Sequence, residues 1–500
     1  MQGSTATAGA SLTGSTPTRA FINGSFTDSV SGQTFDTLNP ATGQALAAVA
    51  ECGADDIDRA VVAARAAFDS GRWSRLAPAD RKRVLLRFAD LVEANAAQIA
   101  RLDALDAGKP IADCEDLDLP DVVNTLRWYA ESLDKLFGKI SPTGDDSLGL
   151  IVREPAGVVG AVLPWNFPAA MLGWKLGPSL AAGNSVIVKP AELSPLCALR
   201  VAELAAEAGI PDGVLNVVPG FGETAGRALG LHPDVDVVSF TGSTEVGRYF
   251  LKYSADSNLK RITLEMGGKS PQIVMADAGD LAGVAAELSN AAFWNMGQNC
   301  TAGSRILVQA SLHSDLVDAV SQAAAAWTVG DPLEHSTKIG PLIEPDAMDR
   351  VLGYIDRATA DGASVAHGGR RVRAETGGWF VEPTVMDNVR PDMPMAQDEI
   401  FGPVVAVIPF ADEQEAVRIA NDTTYGLAAS VFTRDINTAH RLARAVRAGT
   451  VTVNCYGEGD VTTPFGGYRS SGFGGRDKGL EAFDQYTEQK TIWFDLSDGG

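Results

Sequence analysis

From residue 157 onward, short apolar runs alternate with amphipathic segments, and this alternation narrows the fold more than any other feature of the chain. Residues 158–163, 185–189, 214–218 and 235–240 read as strands. Residues 195–208 read as a helix, with Ser194 as N-cap, Pro195 in the first turn and Gly209 beyond the end. Strand–helix alternation predicts a parallel sheet with helices on its faces. Ligands bind beyond the carboxyl ends of such strands. Four strands end in polar or glycine-bearing stretches, 164–167, 189–192, 219–222 and 240–243, and the sheet would draw these together.

A second α/β unit is expected over 268–465, with strands at 305–308, 404–408 and 450–454. Pro409 has no N–H to give a sheet ladder, so the middle strand is expected to stop before it. Helices are expected near 314–327, 346–359, 413–420 and 436–445. On the N-terminal side, Asn23-Gly24 predicts a hairpin turn. Ile57, Val61, Ala64 and Phe68 fall at helical spacing up to Gly71. One long amphipathic helix is expected over 80–106, stopped by Gly108-Lys109-Pro110, and another over 120–137. Segments 140–156 and 486–496 are strand-like. Residues 1–19 lack a basic start followed by an apolar core; they are expected to be a disordered tail and not a signal peptide.

A chain of 500 residues suggests two or three domains. Its net charge of −22 argues against nucleic acid or an anionic membrane surface as partner. No apolar run reaches the ~18 residues a membrane helix needs. The five cysteines form no C-x-x-C pair, which suits a reducing cytoplasm and no metal site. The five histidines are scattered, so a carboxylate base is a better partner for a cysteine nucleophile than a histidine.

Cys300 is the candidate nucleophile. It follows Gly297-Gln298-Asn299, whose small and amide side chains leave room for a substrate carbon, and Phe293 and Trp294 could wall a pocket. A buried, inert thiol is the competing reading. Glu265 ends a strand-like run before Gly267 and Gly268, and Asn166 lies between Pro164 and Pro168, which would fix the direction of its amide. Nucleophile, base and amide donor make an acyl-transfer set. Gly242-Ser243-Thr244-Glu245-Val246-Gly247 follows a strand and should open a helix whose free N–H groups can face a phosphate.

These stretches, with Lys189-Pro190-Ala191-Glu192, Glu399-Ile400-Phe401-Gly402-Pro403 and Pro464-Phe465-Gly466-Gly467-Tyr468, resemble the aldehyde dehydrogenase superfamily over about residues 21–493. The resemblance implies a Rossmann-like NAD-binding domain (20–138 and 157–267), a second α/β catalytic domain (268–465) and a β-strand oligomerisation arm (139–156 and 484–500). It implies aldehyde oxidation through a thiohemiacetal and a thioester. Cys300 would attack, Asn166 and the Cys300 backbone N–H would hold the oxyanion, and Glu265 would activate water. Lys175 and Asp477 would be candidates for proton relay. NAD would meet Trp165, Lys189, Glu192, Gly222, Phe240, Gly242, Ser243, Gly247, Gly267, Glu399 and Phe401. Glu192 would accept from the adenosine ribose hydroxyls and repel a 2′-phosphate, so NAD is expected over NADP.

On the substrate side, the resemblance assigns Phe167, Trp174, Trp294, Asn299, Thr301 and Phe465 to the aldehyde channel. Gly459 would widen the entrance, and Glu458, Asp460, Asp118 and Asp121 would make it acidic. Among branches, the chain looks closest to bacterial γ-glutamyl-γ-aminobutyraldehyde and aminoaldehyde dehydrogenases of polyamine breakdown, through Ile151–Pro155, Trp174–Pro178, Gly459-Asp460 and Lys490–Trp493. The small-molecule substrate is then an amino- or γ-glutamylamino-aldehyde. A broad aliphatic or betaine-type specificity, acyl transfer to coenzyme A and a non-enzymatic homologue are the alternatives. A homo-oligomer, tetramer or dimer, is expected.

Overall fold

The computed structural model describes Leu12 and residues 16–497. The expected disordered tail therefore lies mostly outside the described residues; within it, the Thr18 carbonyl accepts from Ala50 N–H. The larger sheet has eight strands in the order Ser25–Thr27, Ala20–Ile22, Leu215–Val217, Ser185–Lys189, Val158–Val162, Val237–Gly242, Arg261–Met266 and Gly472–Phe473. Its centre is parallel, from Leu215–Val217 across to Arg261–Met266. The sheet grows in both directions from Val158–Val162, and the strand order reverses between that strand and Val237–Gly242. A crevice opens at such a reversal, beyond the carboxyl ends of the strands.

The second sheet orders Ser364–His367, Thr384–Asp387, Val404–Phe410, Arg305–Gln309, Pro271–Val274, Ala428–Phe432 and Thr450–Val453. It is parallel except at its first strand. Its strand Val404–Phe410 runs through Pro409, against expectation. The neighbouring strand ends at Asp387 and Pro409 is exposed, so the missing N–H falls where the strand is flanked on one side only.

Two further expectations needed correcting. The long helix over 80–106 is two helices, Pro78–Ala94 and Ala96–Ala107. Asn95 separates them because its side-chain amide donates to the Leu91 carbonyl at 2.8 Å, an alternative to continuing the helix. Ser194 is not a cap: its hydroxyl donates to the Trp165 carbonyl at 3.1 Å. The Leu196 N–H at the start of that helix is instead met by the buried Asp106 carboxylate at 2.9 Å.

The helix Pro168–Ala182 is buried along its whole length and lies against the helix Leu119–Ser132. Gly173 and Gly177 face that neighbour: a Cβ on Gly177 would stand 2.7 Å from the Tyr129 ring, and one on Gly173 3.2 Å from Val122. Adding either methyl overpacks the crossing, at a cost of ~1–3 kcal/mol. The close crossing sets Trp174 beside Asp121.

The strand Thr487–Asp495 pairs antiparallel with Ser147–Pro155, which also pairs with Lys139–Ser141. This three-stranded ribbon leaves Phe137, Ile140 and Trp493 exposed.

Candidate active site

One cleft of about 1270 Å³ runs along the strand ends at the reversal point. Cys300, Glu265, Asn166, Lys189, Glu192, Gly222, Phe240, Gly242, Ser243, Glu399 and Phe401 all line it. Distant motifs therefore do converge.

The helix Leu281–Phe293 delivers the chain to the thiol. After it, Asn295, Met296 and Gly297 are all left-handed, with φ of 51°, 57° and 65°. Two non-glycine residues in that region store strain beside the nucleophile. Gly297 admits no substitute, since a Cβ there would lie 2.1 Å from the Gly402 carbonyl oxygen. Asn295 clamps the turn by donating to the backbone carbonyls of Asn166 at 3.1 Å and Gln298 at 3.0 Å. The Asn166 side-chain amide donates to the same Gln298 carbonyl at 2.9 Å, which locks its direction. Its second N–H remains, and among the described residues the Cys300 backbone N–H has no acceptor. Two donors are thus available where charge would develop on a substrate oxygen.

Glu265 lies in the strand Arg261–Met266, opposite Thr241 on one side and Gly472 on the other. The glycines after it permit close approaches. A Cβ on Gly268 would stand 2.4 Å from the Cys300 carbonyl oxygen, and one on Gly267 1.9 Å from the Glu399 carboxylate. Glu265 is 5 % exposed and its Oε1 has no hydrogen-bond partner. Burial and then the Asp477 charge hold its carboxyl well above the usual range, while Lys175 and Arg476 pull it down. Lys175 and Asp477 form a buried ion pair at 2.7 Å. The Cys300 thiol is also pushed up, by burial first and then by Glu458, Glu265 and Glu399. Burial and these carboxylates thus oppose the thiolate, an effect that a base or a bound electrophile must offset before the sulfur reacts.

At the other end of the cleft, Lys189 and Glu192 pair at 2.8 Å. Ser243 caps the helix Thr244–Ala255 by accepting from Val246 N–H at 3.2 Å. Glu399 accepts from Gly268 N–H at 2.9 Å, and burial pushes its carboxyl up to about 7. Phe401, with φ of 57°, stands edge-on to Trp165 at 5.3 Å. Gly247 does not face the cleft: it makes room for the Met266 sulfur, which a Cβ would meet at 2.5 Å.

Phe167, Trp174, Trp294 and Phe465 line the remaining part of the cleft, Phe167 tilted against Trp294 and Trp174 edge-on to Phe465, each pair at 5.3 Å. Asn299 and Thr301 do not line it. They are buried behind it, where Asn299 donates to the Tyr456 hydroxyl at 2.6 Å and Thr301 donates to Glu458 at 2.7 Å. Asp460 is exposed and bent back on its own loop, accepting from the Thr462 hydroxyl at 2.5 Å and from Thr462 N–H at 2.8 Å, which together hold its carboxyl low; it lies outside the cleft lining. Asp118 reaches the lining, but its charge is matched by Lys109 at 2.8 Å in a buried pair. Asp121 lines the cleft and accepts from the Trp174 indole N–H at 2.6 Å. Tyr456, Glu458 and Lys478 are lining residues that sequence reasoning left out or weighed as loop charge. Among the described residues, no group of three or more His, Cys, Asp or Glu converges as metal ligands, and no helix is long and apolar enough to cross a membrane.

A thiol, an unpartnered buried carboxylate and two free N–H donors stand beside a helix start that can face a phosphate, an arrangement suited to chemistry at a carbonyl carbon with a nucleotide at hand. The aldehyde dehydrogenase family model matches residues 26–492, and the chain belongs to that family. It is 54% identical over 481 residues to an aminoacetaldehyde dehydrogenase of Pseudomonas aeruginosa, covering 96% of both chains. A solved indole-3-acetaldehyde dehydrogenase in complex with NAD+ superposes with a TM-score of 0.95 at 52% identity, covering 96% of this chain and 97% of that one. A γ-glutamyl-γ-aminobutyraldehyde dehydrogenase from Burkholderia cenocepacia does so with a TM-score of 0.94 at 52% identity, covering 96% and 97%.

Proposed function

We propose that the chain oxidises an aldehyde to its carboxylic acid with NAD, and that the aldehyde bears an amino or γ-glutamylamino tail. The observation that carries this reading is the meeting of Cys300, Glu265, Asn166 and the cofactor-side residues on one cleft. The Cys300 thiolate adds to the aldehyde carbon, giving a thiohemiacetal. The Asn166 amide and the Cys300 N–H bind its oxygen. NAD held by the cofactor-side residues would supply the hydride acceptor for that carbon, and loss of the hydride would leave the acyl group on sulfur as a thioester. Glu265 takes a proton from water, and the water oxygen displaces Cys300 to release the acid. The Lys175–Asp477 pair sets the charge balance around Glu265 and offers it a route for the proton.

The donor set fits an adenine dinucleotide. Glu192 and Lys189 suit the adenosine ribose, the helix start at Ser243 suits the pyrophosphate, and Glu399 with Phe401 suits the nicotinamide ribose. Gly222 leaves open space where a Cβ would stand. Glu192 favours NAD over its 2′-phosphate. The tail assignment rests on Asp121 and Glu458 in the cleft and on the names of the relatives. The enzyme works in the cytoplasm, in keeping with five free cysteines, as an oligomer joined through the exposed ribbon.

The test is NADH formation with acetaldehyde, betaine aldehyde, 4-aminobutyraldehyde and the γ-glutamyl aminobutyraldehyde, without coenzyme A, for the native chain and Cys300→Ser. Free acid as product, ranking of the two amine-derived aldehydes first, and loss of turnover with retained NAD binding in the variant are expected. Near-native turnover by Cys300→Ser, or a need for coenzyme A, would overturn the reading.

A further inference from the structure

Lys478 is a charged residue of the cleft that the reaction leaves unused. It follows the relay residue Asp477 and lines the cleft, yet it is only 5 % exposed. Its ammonium nitrogen sits 4.0 Å from the centre of the Trp174 ring and 5.8 Å from that of Phe465. Other lysines around the cleft are matched by carboxylates: Lys109 by Asp118, Lys175 by Asp477 and Lys189 by Glu192, all at 2.7–2.8 Å. Among the described residues, Lys478 has no carboxylate within 4.0 Å and donates no hydrogen bond. The ammonium itself opens onto the cleft, and an aromatic face satisfies none of its three N–H donors as a hydrogen bond. Its donors are left for whatever enters the cleft.

The surroundings specify the ligand. Trp174 holds Lys478 against its ring face and gives its indole N–H to Asp121. A cation and an anion therefore stand on two sides of one indole, both on the wall of the cleft. A purely cationic tail would satisfy Asp121 and be repelled by Lys478. A tail ending in a carboxylate, or in the ammonium and carboxylate of an α-amino acid, satisfies the lysine and, in the second case, both groups.

We infer that Lys478 is a specificity-determining residue that binds a carboxylate at the far end of the aldehyde substrate. This rests on the aldehyde-oxidising reading and deepens it by choosing between the two proposed tails: a carboxylate-bearing tail, such as the zwitterionic γ-glutamylamino one, over the simple amino tail. The lysine takes no part in the bond changes at Cys300.

The experiment compares kcat/KM for hexanal, its ω-carboxy analogue and its ω-amino analogue, and for the eight-carbon set, with NAD. It uses the native enzyme, Lys478→Met, which keeps the packed stem, and Lys478→Arg, which keeps the charge. In one of the two lengths, the native enzyme should prefer the carboxy over the amino aldehyde. Lys478→Met should lower the carboxy-to-neutral ratio about tenfold, the size of one charge-assisted contact, mainly through KM. Lys478→Arg should retain most of the ratio. An equal loss on all three aldehydes, in Lys478→Met and Lys478→Arg alike, would make Lys478 a packing residue and overturn the inference while leaving aldehyde oxidation standing. A preference for the amino aldehyde that Lys478→Met does not change would also overturn it. Failure of the native enzyme to oxidise any of the six would remove the aldehyde-oxidising reading and this inference together.

Discussion

Glu265→Gln separates the two halves of the reaction. The exchange keeps the shape and removes the ability to take a proton. Because Oε1 has no hydrogen-bond partner, the amide replaces it without breaking a bond. It also removes a group whose charged form burial and Asp477 oppose. The thermal midpoint should therefore hold or rise, unlike the usual result of altering a buried charged residue. A general base contributes ~10²–10⁴ in rate, about 3–5 kcal/mol of barrier at 1.36 kcal/mol per tenfold. That loss should fall on thioester hydrolysis, since addition of Cys300 and loss of hydride precede it. Stopped-flow absorbance should show a burst of about one NADH per subunit, then a steady state slower by about that factor. An added strong nucleophile should capture the thioester and restore turnover. In the native enzyme the hydrolytic step should speed up as pH rises through the raised Glu265 titration, because the base must first lose its proton; the variant should lack that rise. Loss of the burst together with the steady state would refute the assignment and place Glu265 before the thioester. A marked fall in the thermal midpoint would refute the account of its environment.

Three further outcomes are expected. Glu192→Gln removes the carboxylate beside Lys189 and should raise the NADP-to-NAD ratio of kcat/KM by about tenfold, the scale of one charged hydrogen bond; an unchanged ratio would mean that Glu192 does not face the ribose. Asp121→Asn should raise KM for an amine-tailed aldehyde several-fold, whereas Asp460→Asn, whose carboxylate is bound to Thr462, should change it by less than about twofold; the reverse order would put Asp460 in the cleft. Burial raises Asp103 to about 7 and Asp106 to about 8, above the ~3.9 of an unfolded aspartate. The native state then holds protons that the unfolded chain has lost, so their stabilisation is complete below ~3.9 and is lost progressively as pH rises from there to about 7 and 8. The thermal midpoint should fall over that window; Asp106→Asn should lower it throughout, since one of two accepting oxygens is lost, yet flatten its slope against pH. An unchanged slope would mean that Asp106 stays ionised.

Much of the first sheet was legible because its strands are short apolar runs between turns and helices, and the motif residues sit at their ends. The helix start at Ser243 was legible for the same reason. Side-chain direction was not. Asp460 and Glu458 lie two apart on one loop and differ in role because Thr462 captures one and Thr301 the other. Asn299 and Thr301 flank the nucleophile in sequence, yet a turn with three left-handed residues rotates them behind it. Lys478 gave no signal beyond its neighbour Asp477, since nothing in a linear chain says which lysine will lack a partner. Pro409 misled because it was judged by residue type before the edge it occupies was known, and the break at Asn95 went unread because it depends on a side-chain bond that apolar spacing does not show.

The strand Gly472–Phe473 closes the edge of the larger sheet against Arg261–Met266, and the segment around it supplies Phe465 and Lys478 to the cleft and Asp477 to the buried pair with Lys175. A chain made from its N-terminus therefore reaches a late stage of synthesis with Cys300 and Glu265 already translated but Lys175 unpaired and the sheet edge bare. Unpaired edges invite association with other chains. Synthesis of the last few dozen residues both ends that exposure and assembles the charge balance at Glu265, so that competence and protection from aggregation arrive together. Release of the chain before Pro464 should give insoluble and inactive protein, not a slow enzyme.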